Sequence, residues 1–207
     1  VGAIEMQEAH ELRIRAHSDQ QFKKNIQKRY NIDPRKITVL ILGFRLTRAI
    51  HIDGKRSLSE DEHIAHFRNI FIHIQDVFQK NANIVFKMHP GDGNANIYES
   101  YKLLDIILCG DDVRTDELMS VSDLCIIDPW TAANYLVLAS GVSAICVDFA
   151  PVRGRIAPKE NFGIKKIINT EGEFARALQD FRGGILEEQY DRRGIDARSI
   201  EKIVGLV

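Results

Sequence analysis

The sequence alternates short apolar, β-branched runs with longer amphipathic stretches, and this alternation limits the fold more than any other feature. Five runs have the composition of strands that are buried on both faces: "ITVLILG", "NIVFKM", "DIILC", "DLCIID" and "SAICVDF". "KKIIN" predicts a sixth. Helical periodicity lies between them, as in "HIAHFRNIFIHIQDVF" and "EGEFARALQDFR". The pattern predicts right-handed crossovers and an α/β fold with a doubly wound parallel sheet of about six strands.

Polar helical segments flank this sheet at both ends. Residues 4–30 have helical spacing but few apolar positions. We therefore predict an N-terminal helix and linker over residues 1–35, a Rossmann-like domain over residues 36–190 and a C-terminal helix over residues 191–207. Both polar ends are expected to face a further domain of a longer protein.

Composition excludes several classes of protein. The net charge of −1 and the pI near 6.7 argue against a protein that binds the nucleic-acid backbone. Cys109, Cys125 and Cys146 lie in or beside apolar runs without a CxxC pair, which predicts buried thiols in a reducing compartment. No apolar run approaches the roughly 18 residues of a membrane helix, and the first residues lack the apolar h-region of a signal peptide. A cytoplasmic protein is therefore expected.

The candidate site residues follow the predicted strands, because doubly wound sheets bind ligands beyond the carboxyl ends of their strands. His89 ends the second strand, and Pro90 restricts the backbone behind it. Its imidazole can donate a hydrogen bond to a phosphate oxygen, but the same residue could simply cap a turn. Arg45, after the first strand, is a further candidate anion ligand or a solvated residue of a basic loop.

A second candidate lies after the fourth strand. Thr131 and Ala132 open the predicted helix there, directly after Trp130. The unpaired amides and partial positive charge of a helix N-terminus suit a pyrophosphate group. The alternative is that Asp128 or Thr131 only caps the helix, and the two interpretations are compatible.

Other signals predict no cofactor. His63, His66 and His73 lie on one predicted helix without an H-E-x-x-H pair, so no metal site is predicted. The chain contains no G-x-G-x-x-G, which disfavours nicotinamide and flavin binding, and no G-x-S-x-G nucleophile elbow.

Three segments carry a resemblance to a known family. The end of "YNIDPRKITVLILGFR" aligns with a family "aPTfR" segment, so that Arg45 corresponds to the family arginine. His89 and the proline after it correspond to a family "HP". "ELMSVSDLCIIDPWTAANYLVLASGVSAI" matches "ELL…SDvLItDYSS…E.l…kPvi" without gaps. The chain thus resembles the C-terminal, nucleotide-binding half of GT-B transferases. It is most similar to the CDP-glycerol glycerophosphotransferases that build teichoic-acid-like polymers, with capsule-polysaccharide and bacterial sialyltransferases further off.

The resemblance implies a nucleotide-diphosphate donor, with a CDP-linked donor among the candidates, and no metal. It implies that His89 and Thr131 contact the donor diphosphate, that Asp128 shapes the loop, and that the helix amides beyond Trp130, from Ala132 onward, bind phosphate. It also implies an N-terminal acceptor domain outside this chain, and a lipid-linked acceptor with peripheral membrane contact in the full-length protein. The isolated chain is then expected to bind nucleotide without catalysing transfer.

The chain departs from the family pattern at several positions. Pro129-Trp130-Thr131 replaces Tyr-Ser-Ser, Tyr135 replaces a glutamate and Val142 replaces a proline. Two alternatives therefore stay open: a non-catalytic nucleotide- or sugar-binding module, and an enzyme similar to UDP-sugar 2-epimerases, which share the half-fold. A response-regulator domain is disfavoured, because acidic residues do not cluster after the first strand.

Overall fold

The computed structural model describes residues 3–43, 60–89, 101, 104–129, 131, 133–148 and 163–190. The helices in these ranges are α1 (Ala3–Ser18), α2 (Gln20–Arg29), α3 (Glu60–Phe78), α4 (Thr115–Val121), α5 (Asn134–Ser140) and α6 (Glu171–Arg182). A 3₁₀ turn, Gln79–Asn81, follows α3. The strands are β1 (Ile37–Leu42), β2 (Ala82–Lys87), β3 (Ile107–Cys109), β4 (Leu124–Ile127) and β5 (Ser143–Cys146).

The strands form one parallel sheet in the order β3-β2-β1-β4-β5. The predicted doubly wound parallel α/β fold is confirmed. Within the described ranges the sheet has five strands, and the predicted sixth is reduced to a single parallel bridge between Val147 and Ile168. The chain leaves the sheet there because Thr170, two residues later, caps α6 by accepting a hydrogen bond from the Glu173 amide at 3.2 Å.

Helices cover both faces of the sheet, which explains why the strands are apolar throughout rather than alternating. On one face α3 and α6 pack over side chains such as Val39, Ile41 and Phe86, all fully buried. On the other face α2, α4 and α5 pack over side chains such as Leu40 and Cys125. The alternate residues of β1 thus point into two separate cores.

The N-terminal segment forms two helices, where the sequence pattern predicted one. The break is at Asp19, whose side chain accepts a hydrogen bond from the Phe22 amide at 3.0 Å and so begins α2. A short polar side chain that bonds to the backbone in this way competes with helix continuation. The chain can therefore turn, which lets α1 and α2 pack on the same side of the sheet.

Helix α1 packs across α4 and α5 of the sheet domain. Its contact face buries Met6, Ala9 and Ala16. This docking was not predicted from the polar composition of the segment. The prediction that the segment also faces a further domain concerns its outer face, which exposes Ile4 and Ile14, and it stays a prediction.

Two predicted segments lie outside the described residues: the basic loop that contains Arg45 and the C-terminal helix at 191–207. The three cysteines are confirmed as free and buried. In the part of the chain that the structure describes, no helix is long and apolar enough to cross a membrane.

Candidate functional site

The strand order changes direction between β1 and β4, and the carboxyl ends of these strands form the candidate site. The chain proceeds from β1 outward to β2 and β3 on one side, and then returns to place β4 and β5 on the other. In open α/β sheets, ligands bind at such a switch point. Adjacent strands are about 4.8 Å apart, so the ends of β2 and β4, which flank β1, are separated by roughly 10 Å.

His89 lies at this edge, two residues beyond the end of β2. The residue is half-buried, and its Nδ1 atom is buried without a hydrogen-bond partner. A buried polar atom without a partner is costly, at about 1–3 kcal/mol. The structure therefore places an imidazole nitrogen that needs a partner where a ligand is expected to bind.

The turn after β4 contains the next two predicted site residues. Asp128 is buried and Thr131 is half-buried, and the Thr131 amide donates to the Asp128 carbonyl oxygen at 3.4 Å. The Thr131 hydroxyl accepts a hydrogen bond from the Ala133 amide at 3.3 Å. This bond closes a local turn and does not cap the helix that follows, whose N-cap residue is Ala133 and which has no side-chain cap hydrogen bond. The Thr131 hydroxyl proton can still be donated to a ligand.

The predicted start of the helix at Thr131 is wrong. Helix α5 begins at Asn134, with Ala133 as its N-cap residue, and ends at Ser140 after seven residues. The Thr131 carbonyl oxygen accepts a hydrogen bond from the Asn134 amide, and its hydroxyl accepts one from the Ala133 amide. These local bonds form a separate turn before the helix. A seven-residue helix preceded by a turn offers less of the N-terminal charge on which the prediction depended.

A small pocket of about 10 Å³, which is room for about one water molecule, opens between the ends of β1 and β4. Its lining includes Leu42 from β1, Asp128 after β4, and His66 from α3. Sequence reasoning considered His66 only as a metal ligand and so missed this position. The missed signal is that α3 follows β1, which brings its early turns to the carboxyl edge of the sheet.

Lys87, the last residue of β2, was also missed. Its buried Nζ atom donates to the carbonyl oxygens of Gly110 at 2.7 Å and Met88 at 3.1 Å. Burial lowers the pKa of this ammonium group, and the nearby Asp111 opposes that shift. Lys87 thus links the end of β2 to the loop after β3 by a hydrogen bond, two residues before His89. A lone lysine inside the apolar run "NIVFKM" was the available signal.

The structure brings some predicted site residues together and leaves others untested. It joins Asp128 and Thr131 in one turn and places His89 on the same edge, on the far side of β1. Arg45, Trp130 and Ala132 lie outside the described residues. Among the residues that are described, no group of three or more His, Cys, Asp or Glu side chains is arranged to hold a metal ion.

Comparison with solved structures identifies the class of fold. The wall teichoic acid polymerase TagF, in a histidine-to-alanine variant, superposes with a TM-score of 0.57 at 15% identity, over 95% of this chain and 45% of that one. TagF soaked with CDPG superposes with a TM-score of 0.55 at 14% identity, over 95% of this chain and 43% of that one. The UDP-GlcNAc 2-epimerase of Methanocaldococcus jannaschii, in complex with UDP-GlcNAc and UDP, superposes with a TM-score of 0.51 at 15% identity. The match covers 98% of this chain and 52% of that one.

These likenesses show that the chain has the fold of the C-terminal half of a GT-B protein. The resemblance seen in the sequence is thereby confirmed at the level of the fold. The chain spans about half the length of the solved structures that it matches. No protein-family model matches the chain, and no curated protein sequence matches it.

Proposed function

We propose that this chain is the donor-binding domain of a GT-B glycosyl- or glycerophosphotransferase that builds a cell-surface polysaccharide or a teichoic-acid-type polymer. The observation that carries the proposal is the buried, unpartnered Nδ1 of His89 at the carboxyl edge of the sheet, one strand away from the switch point. A phosphate oxygen of a nucleotide-diphosphate donor would supply the missing hydrogen-bond partner.

The known neighbours support this class of ligand. The polymerase structure soaked with CDPG and the epimerase complexed with UDP-GlcNAc and UDP share this half-fold. The ligands of both structures contain a nucleoside diphosphate. A site for the diphosphate group is therefore the property that this chain is expected to share with them, whereas the base and the transferred group can differ.

The proposed chemistry follows from charge. Transfer from the donor leaves a nucleotide that carries additional negative charge, and fixed hydrogen-bond donors aimed at that phosphate stabilise the transition state. His89 and the Thr131 hydroxyl would act from opposite sides of β1, across the roughly 10 Å between the ends of β2 and β4. The acceptor and the general base would be bound by the other half of the full-length protein.

Two observations support the alternative functions. Pro129-Trp130-Thr131 lacks one of the two serine-position hydroxyls of the family Tyr-Ser-Ser, which favours a non-catalytic nucleotide- or sugar-binding module. Such a module would bind CDP or UDP in a full-length protein that transfers nothing. The likeness to the 2-epimerase favours a second enzyme class, and turnover of UDP-N-acetylglucosamine would identify it.

Ligand-dependent stabilisation of this chain tests the proposal. Thermal melts and calorimetric titrations would be made with CDP, CMP, UDP, GDP and ADP. A nucleotide at about 100 times its Kd stabilises a protein by about 2.7 kcal/mol. At this chain length that corresponds to a rise in Tm of about 5–10 °C. A shift with CDP or UDP that His89→Ala and Thr131→Ala both lose is the expected result.

The matched control is His10→Ala. His10 is also half-buried, but its Nδ1 lies 3.1 Å from the carbonyl oxygen of Ala139, in the last turn of α5 and thus at the opposite edge of the sheet. The control should retain the full ligand-induced shift. An absence of any shift in the wild-type chain, or an equal shift in His89→Ala, would contradict the donor-binding function.

In the full-length protein, His89→Ala should lower kcat by about 10²–10³, the loss seen when one transition-state hydrogen-bond donor is removed. The 207-residue chain alone should bind nucleotide and catalyse no transfer. A His89→Ala enzyme with wild-type turnover would exclude the proposed role of this residue.

A further inference from the structure

Asn134, the first residue of α5, forms buried side-chain hydrogen bonds to the turn that contains Thr131. The side chain is completely buried. Its Nδ2 atom donates to the carbonyl oxygen of Asp128 at 3.0 Å and to that of Thr131 at 2.8 Å. One amide group therefore binds the backbone at both ends of the turn and fixes their separation.

Tyr190 fixes the orientation of this amide. Its hydroxyl donates to the Asn134 Oδ1 atom at 2.6 Å, and its side chain is only 1% exposed. Because Oδ1 receives this hydrogen bond, Nδ2 faces the two carbonyl oxygens. Tyr190 is 56 residues away in the chain and is held by an antiparallel bridge to Ile164.

The energetics indicate a specific role for these two residues. A buried amide costs free energy unless its donors and its acceptor are all satisfied, and here both donors and the acceptor are used. An apolar residue would fill the same core position without that requirement. What the polar pair adds is a defined conformation of the turn after β4, at the switch point of the sheet.

We propose that Asn134 and Tyr190 are positioning residues for the donor diphosphate. They fix the backbone on both sides of the turn, and this orients the Thr131 hydroxyl toward the carboxyl edge of the sheet. The proposal rests on the proposed donor-binding function. It assigns to the segment around Tyr190, after α6, a contribution to the phosphate site that the sequence motifs do not suggest.

A matched pair of networks makes the proposal testable. Asn83, at the start of β2, is a second buried asparagine, and its Nδ2 donates to the Asp33 carbonyl oxygen at 2.9 Å and to the Thr38 hydroxyl at 3.3 Å. This network lies at the amino edge of the sheet, opposite the candidate site. Tyr190→Phe and Thr38→Val each delete one hydroxyl from a buried asparagine network. Asn134→Ala and Asn83→Ala form the second pair.

The first arm measures amide hydrogen exchange and needs no ligand. In Tyr190→Phe and Asn134→Ala, exchange of the peptide covering residues 128–134 should increase by at least about threefold, the effect expected for the loss of about one hydrogen bond. Thr38→Val and Asn83→Ala should leave the exchange of that peptide unchanged. Equal exchange in all four variants would overturn the proposal.

The second arm measures calorimetric affinities for CDP and CMP, or for UDP and UMP if the chain selects uridine. Tyr190→Phe should weaken diphosphate binding about 3- to 10-fold and reduce the preference for the diphosphate over the monophosphate. The Thr38→Val control should retain that preference, because general destabilisation leaves the relative affinity of the folded site unchanged. An unchanged preference in both Tyr190→Phe and Asn134→Ala would overturn the positioning role.

The two arms separate failure of this inference from failure of the proposed function. If the wild-type chain binds no nucleotide, the donor-binding function and the positioning role are both overturned, whatever the exchange data show. If the wild-type chain binds CDP or UDP but the variants exchange and bind like the wild type, only the role of Asn134 and Tyr190 is overturned.

Discussion

Replacing Arg13 with methionine should weaken the docking of α1 on the sheet domain. One guanidinium nitrogen, Nη1, lies 2.7 Å from the Ser122 carbonyl oxygen, 3.0 Å from that of Ser120 and 3.2 Å from that of Met119. These carbonyl groups lie at the C-terminal end of α4, where intrahelical donors are missing. Methionine retains much of the apolar stem but has no donor.

The magnitude follows from the geometry. Nη1 carries two hydrogens, so it makes at most two well-aligned hydrogen bonds to the three oxygens. A hydrogen bond to a charged group contributes about 1.5–3 kcal/mol when it is shielded from water. Arg13 is only half-buried, so we expect a total loss of about 1–3 kcal/mol. For a chain of 207 residues this lowers Tm by about 2–12 °C.

Thermal unfolding followed by circular dichroism measures this loss, with Arg15→Met as the control. Arg15 is two residues away on the exposed side of α1, where its guanidinium group lies 4.2 Å from the centroid of the Phe22 ring. An exposed cation–π contact contributes about 0.5–1 kcal/mol, so the control should lower Tm by less than about 4 °C. Equal losses in the two variants would refute the account of how α1 is held.

Two further predictions concern the sheet edge and the buried thiols. In Gly43→Ala, the added Cβ would lie 3.2 Å from the carbonyl oxygen of Lys87, so overpacking should destabilise the protein by about 1–3 kcal/mol in urea titrations, and an unchanged midpoint would contradict this. Burial raises the pKa of Cys109 from 9.0 to about 11, so its contribution to stability is complete below pH 9 and is lost as the pH rises toward 11. Cys109→Ala should therefore show a shallower alkaline loss of stability, and an identical pH profile would show that this thiol does not titrate as described.

The sequence predicted the sheet well because its signal is local. A run such as "ITVLILG" can be buried only as a strand covered on both faces, and the alternation with helices then determines the parallel order. Boundaries were less predictable where short polar side chains bind their own backbone. Asp19 divides the N-terminal helix, and Thr131 delays the start of α5, in each case through hydrogen bonds that a hydrophobic pattern does not record.

The candidate site was predictable only in its strand-end residues. His89 could be found because it directly follows an apolar run and precedes a proline. Asn134 and Tyr190 could not, because their contacts are with backbone groups and side chains that only the fold brings near. The hydroxyl of Tyr190 reaches Asn134 across 56 residues, and no spacing or motif in the chain predicts that contact.

The central claim is that the His89 Nδ1 atom faces the donor phosphate, and nitrogen NMR of the imidazole ring tests it most directly. The chain would be labelled with ¹⁵N-histidine, and the His89 resonances assigned by their absence in His89→Asn. The account predicts that CDP or UDP shifts the His89 Nδ1 resonance, whereas the corresponding nucleoside without phosphate does not. A nucleotide that stabilises the chain but leaves this resonance unchanged would contradict the account.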